Sequence, residues 1–236
     1  CVRLVGSEMC IRDSLISAIT ILGKQRGVIR PAIASVLPTI ERSVILLDSG
    51  ASLDVKPKVL YQFAVMGSKL AEALFDIESP KIGLLNNGEE ESKGRELEKS
   101  AFKLLNSSSL NFVGNVEGRD FATNKVDVFV TDGFTGNVVL KTLEGTAKLQ
   151  QSLISASLKQ NLFKPFLPSV KKALKPVKDQ LNPDKTNASY LLGVDGLVTI
   201  GHGSSKQEAI MNGIQYTNES INKDFIGKFS DAIKEL

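Results

Sequence analysis

Asp132, Asn137 and Lys141 stand together in the stretch Val126 to Gly145, where residue type and spacing could do chemistry. Val126-Asp127-Val128-Phe129-Val130-Thr131 is an apolar, β-branched run that predicts a buried strand. The chain then turns at Asp132-Gly133. Val138, Val139, Leu140 and Leu143 recur at helical spacing, which predicts a helix from Thr135 or Gly136. A strand that feeds a helix through a glycine turn aims backbone N–H groups above the sheet edge, a seat for phosphate or another anion. The N–H groups of Gly133, Thr135 and Gly136 are the expected donors. Asn137 and Lys141 are four apart and share a helix face, so the ammonium can lie beside whatever those groups hold. The stretch is not a P-loop, because Gly136-Asn137-Val138-Val139-Leu140-Lys141-Thr142 lacks the glycine that must precede the lysine.

Other candidates sit at other predicted strand ends. Ser43–Leu47 leads to Asp48-Ser49-Gly50, and Lys81–Leu85 to Asn86-Asn87-Gly88-Glu89-Glu90. Leu110–Val113 leads to Gly114-Asn115-Val116-Glu117, and Gly196–Ile200 to Gly201-His202-Gly203-Ser204-Ser205. Five short polar glycine loops at strand ends imply a cleft. Lys141 and the His202-Gly203-Ser204 loop offer positive charge and small donors suited to phosphate. Asp48, Glu89, Glu90, Glu117 and Asp132 could order donors or move a proton. The competing reading of such acids is helix capping, above all for Glu90 and Glu117. His202 is the one histidine of the chain and the only group titrating near neutrality. It too has a competing role, as a loop histidine that only satisfies hydrogen bonds. No Gly-x-Ser-x-Gly elbow and no zinc-ligand spacing occurs.

The elements that must position these loops alternate. A helix ends at Gly23, a proline-bounded strand spans Pro31–Pro38, and Pro57 opens a helix with Leu60, Phe63, Ala64, Gly67, Leu70, Ala71 and Leu74 inward. A charged helix carrying Leu97, Ala101 and Leu104 follows, and a helical region closes the chain. The expected fold class is α/β, a mostly parallel sheet with helices on both faces and ligands at its strands' carboxyl ends.

With 236 residues the chain can bury a full core. A net charge of +3 gives no argument for nucleic acid, and no apolar run reaches the length of a membrane span. Both cysteines, Cys1 and Cys10, fall in the first fourteen residues, a string without period that reads as non-native sequence. Without it the chain has no disulfide and no cysteine nucleophile, which fits a cytoplasmic setting.

Several ordered segments carry a family resemblance. They are Leu46-Leu47-Asp48-Ser49-Gly50-Ala51, Gln62-Phe63-Ala64-Val65-Met66-Gly67, Gly83 to Glu90, Phe112 to Asp120, Thr131 to Asn137 and Leu192-Gly193-Val194-Asp195-Gly196. From about Leu15 to its end the chain resembles the bacterial phosphate acyltransferases of phospholipid synthesis, the acyl-carrier-protein:phosphate transacylases of the PlsX family. The resemblance implies transfer of a long acyl chain from acyl carrier protein to inorganic phosphate. The acyl phosphate then serves a membrane glycerol-3-phosphate acyltransferase. It further implies a homodimer, peripheral attachment to the membrane, no metal and no organic cofactor. The implied fold is similar to phosphotransacetylases and to isocitrate and isopropylmalate dehydrogenases. In this light residues 15–236 are the C-terminal two-thirds of such an enzyme. The phosphate would sit at the Gly133–Asn137 helix start, with Asn137 or His202 as oxyanion donor. Ser52 replaces an asparagine of the family pattern, and Thr199-Ile200-Gly201 replace its Lys-Ser before His202. The alternatives are a short-chain phosphate acyltransferase using coenzyme A and an inactive membrane-docking fragment.

The docking alternative rests on residues 153–185. Leu158, Leu162, Phe163, Phe166, Leu167, Val170, Leu174, Val177 and Leu181 fall mostly three or four apart. From Lys159 to Lys185 there are seven lysines against two acids, a local +5 that exceeds the whole chain's +3. With Pro165, Pro168 and Pro176 as breakers, this predicts a protruding amphipathic helical hairpin fit for an anionic membrane surface. A hairpin packed on the core or across a dimer is the plainer reading.

Overall fold

The computed structural model describes residues 8–158, 167–180, 189–201 and 207–222, with 227, 229 and 231 besides. Seven strands form one sheet: β1 (Ala32–Pro38), β2 (Ser43–Leu47), β3 (Ile82–Leu85), β4 (Phe112–Val116), β5 (Val128–Val130), β6 (Ser189–Leu192) and β7 (Val198–Ile200). Their order is β4-β3-β5-β2-β1-β6-β7. The helices are α1 (Glu8–Leu22), α2 (Pro57–Phe75), α3 (Glu96–Asn106), α4 (Gly133–Leu158), α5 (Leu167–Gln180) and α6 (Gln207–Asn222).

The sheet is mixed, which corrects the expectation of a mostly parallel one. β2, β5, β3 and β4 pair in parallel, whereas β1 pairs antiparallel with β2 and β6, and β6 with β7. The reason is connection length. Four residues join β1 to β2 and five join β6 to β7, whereas a parallel crossover needs a dozen or more. The first turn closes with the Thr39 N–H donating to the Arg42 carbonyl at 3.1 Å.

Strand side chains alternate between two cores, as the period of two dictates. Ile45, Leu47, Val128, Val130, Ile82 and Leu84 face α2 and α3. Val44, Leu46 and Phe129 face the start of α4, against Val139 and Leu140. On that same side Phe121 stacks on Phe129 with ring centroids 3.8 Å apart, and α1 lays Ala18 over Ile33, Leu191 and Val198. Helix α2 opens with Pro57 at its first position, where no N–H partner is lost. It buries Leu60, Phe63, Ala64, Met66, Leu70 and Ala71, each large side chain worth about 1.5–3 kcal/mol. Gly67 lets it approach the sheet, since a Cβ there would meet Val128 at 2.6 Å.

Several boundaries differ from the sequence reading. Helix α4 begins at Gly133, two residues early, and α1 runs back to Glu8 through part of the string set aside above. Strand β4 lies further on and takes in Gly114 and Asn115, so Asn115 is a strand residue rather than a loop residue. In α3 it is Leu105, not Leu104, that is buried with Ala101. Strand β6 has no counterpart in the sequence reading. Helix α5 continues through Pro176, so this proline does not break the run. The connection at 159–166, with Leu162, Phe163 and Phe166, lies outside the described residues, as does Leu181. Among the described residues no helix is long and apolar enough to cross a membrane.

Candidate active site

The parallel strands β2, β3, β4 and β5 deliver their carboxyl ends to one edge, and the buried side chains of Asp48, Asn115 and Asp132 gather there. Asp48, at the end of β2, is fully buried. Its Oδ1 accepts N–H groups from Ile33, Gly50 and Ala51 at 3.0–3.1 Å, and Oδ2 accepts that of Ser52 at 2.7 Å. Burial pushes the carboxyl up to about 6 from 3.8, against the opposing pull of these four N–H groups. No cation faces it among the described residues. Asp48 thus acts as the organiser of its loop.

Asp132, at the end of β5, is only 3% exposed. It is the N-cap of α4: Oδ1 accepts the Thr135 N–H at 2.8 Å and Oδ2 accepts the Thr135 hydroxyl at 2.9 Å. The Arg95 guanidinium donates to Oδ2 at 2.6 Å. Burial raises this carboxyl, but the Thr135 N–H, Arg95 and the Thr135 hydroxyl together bring it below the ordinary value.

The two loops touch through glycines. The Gly133 N–H donates to the Ser52 carbonyl at 2.8 Å. A Cβ at Gly133 would lie 2.7 Å from Asp48 Oδ2, and one at Gly136 only 1.9 Å from the Asp48 carbonyl oxygen. No side chain fits either place. Asn137 is exposed and lies across from Gly50, where a Cβ would be 3.7 Å from its own.

The expected anion donors are therefore partly engaged inside the protein. The Gly133 N–H serves Ser52, the Thr135 N–H serves Asp132, and the Gly136 N–H closes the first helical turn on the Asp132 carbonyl at 2.9 Å. Lys141 lies eight residues beyond Gly133, about 12 Å along the axis at 1.5 Å per residue. Its Nζ pairs with Glu144 at 3.3 Å, one turn further from the helix start.

At the ends of β3 and β4, Asn115 is buried and its Nδ2 donates to the Glu90 carbonyl at 2.8 Å. Its Oδ1 is buried without a partner among the described residues. Gly88 is buried under Lys93, whose Cγ would be 2.8 Å from a Cβ there. Glu89 is exposed and pairs with Lys125 at 2.9 Å. Glu117 pairs with Arg119. His202, Gly203 and Ser204 lie outside the described residues. Among the described residues no three His, Cys, Asp or Glu side chains converge as a metal site.

Sequence reasoning missed Arg95. It stands at the entry of α3, where its backbone N–H donates to Glu98 Oε2 at 2.8 Å and its Nε to Oε1 at 3.0 Å. Its Nη2 bridges Glu98 and Asp132. The available signal was Gly94-Arg95-Glu96-Leu97-Glu98, a glycine before a helix start with a glutamate three residues on. It was hidden in a run that reads as a solvated charged face.

The family model described as fatty acid synthesis protein matches residues 14–228. The phosphate acyltransferase of Elusimicrobium minutum is 41% identical over 230 residues, with 94% of this chain and 65% of the relative covered. That of Thermodesulfovibrio yellowstonii is 43% identical over 216 residues, covering 91% and 63%. The chain thus spans just under two-thirds of the length of these relatives. Among solved structures, the EutD phosphotransacetylase from Staphylococcus aureus aligns with TM-score 0.52 at 14% identity, covering 98% of this chain and 63% of that one. A branched-chain phosphotransacylase from Enterococcus faecalis aligns with TM-score 0.56 at 15% identity, covering 84% and 65%. At such identities the likeness concerns the fold alone. On the sequence matches, the chain belongs to the fatty acid synthesis protein family, as a member of its phosphate acyltransferases.

Proposed function

We propose that this chain forms the catalytic sheet edge of an enzyme that moves a long-chain acyl group from acyl carrier protein to inorganic phosphate, giving an acyl phosphate for phospholipid synthesis. The observation that carries this reading is identity above 40% to phosphate acyltransferases along more than nine-tenths of the chain. The buried polar groups gathered at the ends of β2, β5 and β4 support it. So does the cysteine count, since the only two lie at positions 1 and 10, ahead of the whole sheet. Transfer is then direct, without an acyl-enzyme.

In this reading phosphate lies beside the exposed start of α4, near Asn137, with Lys141 and the His202-Gly203-Ser204 loop around it. A phosphate oxygen attacks the thioester carbonyl carbon, and the C–O bond to phosphorus forms as the C–S bond breaks. The sulfur leaves as a thiolate and takes its proton from solvent. Phosphate dianion is already a competent nucleophile, so the protein's work is positioning and oxyanion stabilisation. Asn137 or His202 donates to that oxyanion. Asp48 and Asp132, both buried, shape the cleft rather than meet the substrate.

The protein works as a homodimer at the membrane surface. Leu149, Leu153 and Ile154 of α4 are exposed, and the lysine-rich sequence 159–185 follows them in the chain. Anionic vesicles should then retain the full-length protein more than neutral ones do, and Leu162→Glu with Phe166→Glu should release it.

The decisive assay incubates the full-length protein with phosphate and either a long-chain acyl-carrier-protein thioester or a short-chain coenzyme A thioester. Acyl phosphate from the carrier protein thioester is expected. Product only from coenzyme A would replace this reading by the short-chain one, and product from neither would refute both.

A further inference from the structure

Among the described residues, the Arg95 side chain bonds both to α3, through Glu98, and to Asp132 at the start of α4. The loop that leads to Arg95 is tied down at several points. The Asn115 amide holds the Glu90 carbonyl at 2.8 Å, the Lys93 N–H closes on Glu90 at 3.0 Å, and Asn86 Nδ2 reaches the Lys93 carbonyl at 3.2 Å. Gly94, at φ +90°, then turns the chain where a Cβ would lie 2.7 Å from Asn86 Oδ1. Arg95 leaves this frame with its guanidinium held along one edge by Glu98, itself buried. From there Nη2 crosses to Asp132.

Charge decides what such an arginine can do. It is 61% exposed, but its one positive charge is shared between two carboxylates, so it is a poor clamp for a phosphate dianion. It is well placed as a strut. Asp132 is buried, and a buried carboxylate is costly to keep charged unless it is paired or hydrogen-bonded. Asp132 in turn caps α4 through both donors of Thr135.

We propose that Arg95 is a positioning residue of the acyl-transfer site, fixing Asp132 and thereby the start of α4 beside the bound phosphate. The inference rests on the reading that phosphate lies at that helix start. Among the described residues, the charged group paired with Asp132 is Arg95, which Glu98 of α3 holds in turn.

The test uses the full-length protein with Arg95→Ala and Arg95→Lys. In R95A the KM for phosphate rises at least about tenfold, while the KM for the thioester stays within about twofold. The acid limb of kcat/KM for phosphate moves to higher pH, because Asp132 is no longer held ionised. R95K restores most of both. A merely structural arginine would lower the folded fraction and hence the apparent kcat, leaving the phosphate KM and the acid limb in place. That result would overturn the proposal. Hydrogen exchange at the Thr135 amide supplies a readout independent of activity. Should the protein make no acyl phosphate from either thioester, the functional reading fails and this amide still decides the matter. Exchange at least about tenfold faster in R95A, with the amides of α2 unchanged, supports the strut. Unchanged exchange at Thr135 refutes it.

Discussion

Two aspartates end neighbouring strands, and their carboxyls are pushed in opposite directions. Asp48 at the end of β2 and Asp132 at the end of β5 are both buried, and β2 and β5 pair directly. Both accept backbone N–H groups. Asp48 accepts four such groups and no cation, and burial lifts its carboxyl to about 6. Asp132 accepts one N–H, one hydroxyl and the Arg95 guanidinium, and it ends below the ordinary value. Four N–H groups do not offset the loss of water around Asp48, whereas the Thr135 N–H, the Arg95 guanidinium and the Thr135 hydroxyl together do so around the less deeply enclosed Asp132. The β2 loop is thus held by a carboxyl pushed up to about 6, and the α4 start by one kept below the ordinary value.

The largest effect should come from forcing the two regions apart. Gly136→Ala places a methyl where the Asp48 carbonyl stands 1.9 Å away, and backbone cannot rotate aside as a side chain can. A loss of about 3 kcal/mol is expected, seen as a lower Tm together with loss of acyl transfer. A G136A protein with wild-type Tm would show that the contact is not tight.

Next comes the pH dependence of each carboxylate. The folded pKa of Asp48 lies above its unfolded value. The folded state therefore holds the proton more tightly, and stability falls as pH rises from 3.8 through about 6. Over that window the decline from this group is about 2 kcal/mol. Asp48→Asn should flatten that part of the stability curve in urea unfolding measured at each pH. Asp132 has the opposite sign: its contribution is full above 3.8 and is lost as pH falls through its lowered folded value. A D48N protein that keeps the wild-type slope would break the contrast.

Asp132→Ala removes the cap and the partner of Arg95, an expected cost of about 1–2 kcal/mol given that Arg95 is largely exposed. Chemical denaturation reads it directly. Lys141→Ala should be the mildest in stability, about 0.3 kcal/mol, because it ends one half-exposed pair with Glu144. Its value lies in kinetics: an unchanged KM for phosphate would remove Lys141 from the site.

Legibility followed range. The strand at Ser43–Leu47 and the helix opened by Pro57 were plain, since β-branched runs and an apolar stripe are local signals. Connection length also lay in the sequence: the short links 39–42 and 193–197 forbid parallel crossovers, though the alternation of strand and helix masked it. The site was legible as a set of loops. Asp132 was named for its place before the helix, with capping as a competing reading that weighed more at Glu90 and Glu117, whereas it does cap that helix. Arg95 was not named at all, because its partner Asp132 is 37 residues away and reaches it only across neighbouring strands.

By itself, then, the amino-acid order determined the α/β class, the edge at which polar glycine loops gather, the glycines at 133 and 136, and a family signature spread over six segments. Those depend on residue type and on spacings of two to four, which the backbone's own periods convert into structure. Tertiary structure decided which aspartate keeps its charge and which N–H groups are already engaged. It also decided which arginine joins α3 to the start of α4. Desolvation and pairing belong to the space around a group, and that space is filled by residues brought from distant parts of the chain.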